Sequence, residues 1–234
     1  MRSAAVFLTL SLAVVTAPGC STAPPSEAEF SWEFYSAPTM SPNTFSGRTL
    51  AVLPTVSIDY DATQQTYRET LAGLLYDELQ KYPDGPHILS LGALQSGINR
   101  SGLWNDAMQM YNEYQKTGVL RKDILSRIGK AVNARYVILP RLLRFQSEAF
   151  DRATVIGISF LRTRQSNVDI QAQIWDTLTG AVVWDGASEG SLASEVVRGQ
   201  PASFMAVAKV ACRSLVSKMP WVKELKRPGE ALAK

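Results

Sequence analysis

Enzymatic chemistry needs a nucleophile with a base, a metal cluster, or paired acids in one cleft. The sequence holds one histidine, His87, beside Pro86, and two cysteines, Cys20 and Cys212. A single histidine makes a histidine-based metal or catalytic site a poor fit, because such sites draw on several His or Cys ligands. Asp59 and Asp61 precede a helical pattern, where a carboxylate serves as an N-cap acceptor. Asp176 opens Asp-Thr-Leu-Thr-Gly, which is turn chemistry, and Asp185 stands at a strand end. Gly92, Gly97 and Gly102 lack the lysine and the strand-to-helix setting of a phosphate loop. Cys212 lies on an apolar helical stripe and reads as a buried small hydrophobe. The sequence therefore predicts no catalytic residue, no metal site and no cofactor.

Cys20 is the residue to which a covalent reaction is assigned. Arg2 provides a positive start, and Ala4 to Val15 is a run of apolar or small residues with Thr9 and Ser11 as its only hydroxyls. That run has the length of a signal-peptide core and is short for a bilayer span. Ala17-Pro18-Gly19-Cys20 follows and resembles the bacterial lipobox, in which small residues precede a cysteine that is lipidated and becomes the mature first residue. The pattern departs at Ala17, where leucine is preferred, and at Pro18. Ordinary signal-peptidase cleavage would end at Ala17 or Ala23, and both are followed by a proline that this peptidase tolerates poorly. A disulfide between Cys20 and Cys212 requires a Cys20 without lipid. Three acyl chains would hold the protein essentially permanently, at about 0.8 kcal/mol per buried methylene. Ser21, in place of the aspartate that retains lipoproteins in the inner membrane, points to the outer membrane, facing the periplasm.

Three tryptophans are candidate partner-binding residues: Trp175, Trp184 and Trp32. Trp175 and Trp184 flank a hairpin turn. Pairing Asp176 with Ala181 sets Trp175 against Val182 and Gln173 against Trp184, which puts both indoles on one sheet face with Gln171. Such a face either packs under a helix or docks a partner protein, since tryptophan is enriched at binding hot spots. Trp32 lies where Phe30, Trp32 and Phe34 alternate with Ser31 and Glu33, followed by Tyr35. The alternation predicts a short extended stretch with one aromatic face. That stretch either completes the core of the domain or stands free as a recognition segment.

The elements that position these residues belong to one domain. The chain has 234 residues, of which 46% are hydrophobic and 19% charged, the composition of a globular protein with a sizeable core. A net charge of +3 without a basic run leaves no electrostatic footprint for nucleic acid. The expected organisation is a signal peptide (1–19), a lipidated tether (20–46) rich in Pro, Ser and Thr, an α/β domain (47–219), and a polar tail (220–234). Thr49 to Val56 fits a buried first strand. Tyr67, Leu71, Leu74, Leu75 and Leu79 make a helical stripe over 63–82. A short strand over 87–91, helices over 104–116 (Ala107, Met108, Tyr111 and Tyr114 on one side) and 121–132, and a strand over 136–143 follow. Asn133 is a left-handed helix stop, and Pro140 marks a bend or an edge. Residues 148–165 read as irregular or partly extended. Asn167 to Trp175 alternates cleanly, Ala181 to Gly186 returns as a hairpin, and a helix covers 201–218. The order predicts an α/β fold with a single layer of mixed β-sheet and helices mainly on one face.

Three local patterns resemble a known superfamily. Ala51 to Pro54 is an AVLP first strand ahead of a long amphipathic helix. Ile128 to Ile138 is similar to a helix, Gly-Ala-Asp-Tyr, strand junction. Ile174 to Trp184 is similar to an Asp…Thr-Gly…Trp hairpin. Over residues 48–217 the chain resembles the envelope lipoproteins that include the curli-secretion lipoprotein, the penicillin-binding-protein activator lipoprotein and the amino-terminal domain of the Tol-system propeller protein. Asn133-Ala134-Arg135 replaces Gly-Ala-Asp here, so no role of that aspartate is carried over. The resemblance implies a non-enzymatic binding or assembly module, attached to the membrane by its lipid, whose partner is an envelope protein or another copy of itself. An oligomeric secretion pore of the curli type is the alternative, and an envelope hydrolase ranks below it. A pore needs paired membrane strands of about nine to eleven residues, and the sequence offers one strand only, Ala153 to Arg164.

Overall fold

The computed structural model describes residues 26–57, 62–155, 158–196 and 201–222. The expected signal peptide, Cys20, Asp59, Asp61 and the tail from 223 onward lie outside the described residues. Among the described residues no helix is long and apolar enough to cross a membrane.

Strands β1 (Ser26–Ser36), β2 (Thr49–Val52), β3 (Val56–Ser57), β4 (His87–Leu89), β5 (Tyr136–Val155), β6 (Ile158–Asp176) and β7 (Val182–Val196) form one seven-stranded mixed sheet. The order is β1-β7-β6-β5-β2-β4, with β3 also on β5. β2 is parallel to β4 and β5, whereas β5, β6, β7 and β1 are successively antiparallel. The α/β class and the mixed sheet agree with the sequence pattern. Pro140 stands inside β5 without ending it. Ile138 accepts from the Leu53 amide, so Pro140, two residues on, turns its nitrogen to the same side. That side is vacant there, because the neighbouring chain leaves the sheet between Val52 and Val56.

Among the described residues five α-helices pack on this sheet: α1 (Ala62–Leu79), α2 (Leu91–Arg100), α3 (Trp104–Thr117), α4 (Lys122–Ala131) and α5 (Phe204–Val216). Alternation along the strands sorts the core into two layers. Leu50, Val52, Tyr136 and Ile138 pack with Leu71, Leu75 and Leu79 of α1 and with Val207, Ala211 and Leu215 of α5. Ala51, Leu53, Val137 and Leu139 pack with residues of α2, α3 and α4. Helices thus cover both faces and not mainly one. The helices expected over 104–116 and 121–132 are present as α3 and α4 but lie on the face opposite α1 and α5, and they are joined there by α2, whose glycines obscure its helical pattern. α2 starts at an N-cap, Ser90, whose hydroxyl accepts from the Ala93 amide at 3.3 Å. Gly97 lies inside α2 because its helix presses against Val132. In α3 the buried positions are Ala107, Met110 and Tyr114, and Met108 faces solvent.

The strands are longer than their sequence pattern indicates. Residues 148–155 and 158–165 are sheet, continuing β5 and β6, with irregular register between Asp151 and Thr154. Ala153–Arg164, expected to supply one strand, is divided between two, with Val155 paired to Ile158. Part of the expected tether, Ser26–Ser36, is the edge strand β1, bonded to β7 along its length. Part of the expected polar tail also belongs to the core: Trp221 is buried and tilts against Phe45 at 4.6 Å.

α4 ends as its sequence predicts. Asn133 has φ 53°, and the Ala134 amide reaches back to the Gly129 carbonyl at 2.8 Å. α5 lies directly on β7: a Cβ added at Gly190 would stand 2.8 Å from both the Ala211 nitrogen and the Val207 oxygen. Gly190→Ala is therefore expected to destabilise the domain by about 1–3 kcal/mol, read from the urea midpoint. Gly92→Ala, in open space on α2, is expected to stabilise by about 0.4–1 kcal/mol. Equal responses at the two sites would contradict the close packing of α5 on β7.

Candidate functional site

The three tryptophans do not come together. Trp175 pairs with Val182 as expected, but Ile174 then pairs with Trp184, so Val183 is an extra residue in β7. This β-bulge changes the parity of the strand. Trp184 turns to the face covered by α5 and is 0% exposed, while Trp175 lies on the opposite face, 3% exposed, edge-on to Tyr114 at 6.5 Å. The expectation that both indoles share a face is overturned by that one residue. Neither ring is open to a partner.

Trp32 is open, at 42% exposed. β1 pairs Phe30 with Glu189 and Trp32 with Ala187, which places both aromatic rings on the face away from α5. Phe30 and Tyr35 are 65% and 46% exposed. Phe34 is the extra residue of a second bulge, 58% exposed, with its ring edge-on to Trp32 at 6.1 Å. The aromatic side of β1 therefore does not complete the core. The alternate residues hold the strand. The Trp184 indole donates to Glu33 Oε2 at 2.8 Å, and Arg213 of α5 pairs with Glu27 and with Glu29.

Beside the aromatic row the same face carries a hydrogen-bonded polar strip. Gln171 and Gln173 of β6 donate to the two carboxylate oxygens of Asp185 at 2.7 and 2.8 Å. Arg141 donates to Gln171 at 2.9 Å, and the Tyr114 hydroxyl donates to Gln173 at 2.9 Å. Arg144 pairs with Asp169 at 2.7 Å. Burial raises the Tyr114 phenol above its ordinary value, Arg141 opposes that and Asp185 adds to it, so the phenol remains a proton donor. These side chains orient one another. The strip offers a shaped polar surface, and both Asp185 oxygens are already engaged. Gln171 and Gln173 belong to the face that the sequence singles out, whereas Tyr114 reads there as a core residue and Asp185 as a strand end.

The other residues with chemical potential are accounted for locally. His87 begins β4, exposed, paired with Thr49. Cys212 is fully buried, and burial pushes its thiol up, away from nucleophilic use. Asp176 accepts from the Leu178 and Thr179 amides and pairs with Arg135 at 2.6 Å, a turn and junction role. Among the described residues no group of three or more His, Cys, Asp or Glu could hold a metal ion. A cleft of ≈ 250 Å³ lies between β3, α1, α2 and α3, with Trp104 and Met108 at its lining and apolar walls from Leu94 and Ile98. The hydroxyls of Thr55 and Tyr111, two further lining residues, are buried with no hydrogen-bond partner among the described residues.

Stability separates core indoles from surface indoles. Trp184→Ala and Trp175→Ala are each expected to cost about 3–5 kcal/mol in urea unfolding. Trp32→Ser is expected to change stability by no more than about 0.5 kcal/mol. A loss at Trp32 comparable to that at Trp184 would show that the aromatic row is part of the core.

No protein-family model and no curated protein matches the chain. Solved structures that it is similar to include the PelC dodecamer from Paraburkholderia phytofirmans, at 15% identity and a TM-score of 0.42 over 84% of this chain and 98% of that chain. Lipoprotein GNA1162 from Neisseria meningitidis is similar at 12% identity and 0.40, over 65% of this chain and 87% of that chain. The LpoB C-terminal domain from Salmonella enterica is similar at 17% and 0.33, over 65% and 86%. At these scores the likeness identifies neither a partner nor a process.

Proposed function

We propose that this protein is a lipoprotein anchored to the periplasmic face of the outer membrane through Cys20, and that its α/β domain is a non-enzymatic module that engages another component of the cell envelope. The observation that supports this reading most directly is the aromatic row of β1. Phe30, Trp32, Phe34 and Tyr35 stand exposed and contiguous on an edge strand that begins six residues after Cys20. Soluble monomers rarely leave such apolar groups clustered without a binding role. The polar strip of Gln171, Gln173 and Asp185 beside the row gives a face of mixed character, aromatic at its border and hydrogen-bonding within.

The mechanism is tethered recognition. The lipid confines the domain to the membrane surface, and the short connection raises its effective concentration near anything else held there. No proton transfer or nucleophilic attack is assigned to the face, because its donors and acceptors are spent on one another.

Mass spectrometry of the mature amino terminus, together with crosslinking in intact cells, tests the reading. The wild type is expected to carry lipid on Cys20 and to form a crosslink that Trp32→Ser and Cys20→Ser both abolish. An amino terminus other than a lipidated cysteine removes the anchor. A crosslink indifferent to Trp32 removes the docking face.

A further inference from the structure

We infer that the aromatic row of β1 seats on the lipid bilayer itself, so that the membrane holding the anchor is also the surface that covers Phe30, Trp32, Phe34 and Tyr35. The inference rests on the proposed lipidation of Cys20 and names the component that this part of the docking face meets first.

The length of chain ahead of β1 supplies the argument. From Cys20 to Ser26 is six residues, which when fully extended span at most about 20 Å. A lipidated Cys20 lies at the bilayer surface, so the start of β1 is confined to a thin layer next to it. Phe30, ten residues from Cys20, lies within about 35 Å of it along an extended chain, so a β1 that runs along the bilayer surface has the bilayer as its standing neighbour. The row has the composition that such a layer favours. Trp and Tyr, with an apolar ring and a polar edge, concentrate at membrane interfaces, and Phe adds apolar contact. Stable attachment commonly combines a lipid with a second membrane contact.

Charge on β1 is arranged compatibly. Glu27, Glu29 and Glu33 project to the opposite side, where Arg213 and the Trp184 indole engage them. The aromatic side of β1 between Ala28 and Trp32 holds no ionic group. Across the ladder on that face stand two carboxylates of β7, Glu189 opposite Phe30 and Asp185 opposite Tyr35, the latter bonded to Gln171 and Gln173.

A second copy of the chain is the competing occupant, since β1 is a sheet edge and bare edges invite pairing. The glutamates oppose it. In an antiparallel β1 pair centred anywhere from Ala28 to Ser31, at least one glutamate faces a glutamate of the other copy. Like charges directly opposite are destabilising.

The test uses the lipidated full chain in vesicles of phosphatidylethanolamine and phosphatidylglycerol whose acyl chains are brominated near the headgroup. Trp32 and Trp104 are the tryptophans among the exposed large hydrophobic residues, while Trp175, Trp184 and Trp221 are buried. Bromolipid is expected to quench the wild type and Trp104→Phe, and to leave Trp32→Phe unquenched. Absence of quenching in a protein whose amino terminus carries lipid overturns the seating and leaves the anchor standing. An amino terminus without lipid overturns both. Shielding of Trp32 from acrylamide that grows with protein concentration in detergent, without bromolipid quenching in vesicles, assigns the row to a second copy and overturns the bilayer.

Discussion

The arrangement of this face depends on one extra residue in β7. Val183 has no partner of its own on β6, and from Trp184 onward every side chain of β7 takes the face that this bulge dictates. An unbulged ladder would put Trp184 opposite Gln173 and turn Asp185, Ala187 and Glu189 beneath α5. Two carboxylates would then need partners in an apolar layer, which is costly. In the register adopted, Gly186, Ser188 and Gly190 lie beneath α5 instead. Gly190 leaves room for the helix backbone, and the Ser188 hydroxyl donates to the Ala211 carbonyl at 2.7 Å. The pattern of β7 selects the bulged register because only that register puts its small residues under the helix. β1 pairs to β7, so the bulge also decides which side of β1 carries its aromatics.

The turn between β6 and β7 holds this register in place. Asp176 spends one oxygen on the Leu178 and Thr179 amides and the other on Arg135. The Thr177 hydroxyl lies 3.0 Å from both the Ala134 and Arg135 carbonyls. The hairpin is thereby fastened to the point where α4 becomes β5. A Cβ at Gly129 would stand 2.6 Å from Thr177, and one at Gly180 2.8 Å from Lys122, so the two segments touch through glycine. Arg135 stands where the resembling family has aspartate, and here it is the partner of Asp176. Arg135 thus ties the end of α4 to the hairpin turn.

Much of the fold was legible because its periodicity is unbroken. Val168, Ile170, Ala172 and Ile174 declare β6, and Leu71, Leu75 and Leu79 declare α1, each at the spacing of its element. The bulge was illegible for the opposite reason. Val182, Val183 and Trp184 are all apolar, so composition there is equally consistent with either parity, and the choice is made by residues farther along β7. α2 was hidden because a glycine that permits close helix packing looks the same in sequence as a glycine that ends a helix. The extensions of β5 and β6 past residue 148 contain charged and apolar residues in no fixed alternation, and their pairing comes from the hairpin ladder and not from a core face. In the aromatic row of β1, Trp32 was identifiable from its alternating neighbours. Which side of the stretch would face outward was not, since glutamate against arginine on α5 is a tertiary fact.

The two sides of β1 have different energetic roles, and this bears on how firmly the strand is held. Arg213 with Glu27 and Glu29 is a partly exposed ion cluster, and exposed pairs contribute at most about 1 kcal/mol. The Glu33 bond to the buried Trp184 indole is better placed, but it is a single bond. The backbone ladder to β7 runs on one edge only, and the aromatic rings bury little surface against the domain. β1 is therefore held chiefly by its ladder, unlike β2, which is sandwiched between two layers. An edge strand with this balance gains stability from whatever covers its aromatic side, because an occupant that binds the ordered strand and not the peeled one shifts the equilibrium toward order. On the proposed reading, anchoring, strand order and docking are linked: the lipid would bring the surface near, the surface would cover the rings, and the covered rings would keep β1 in the sheet.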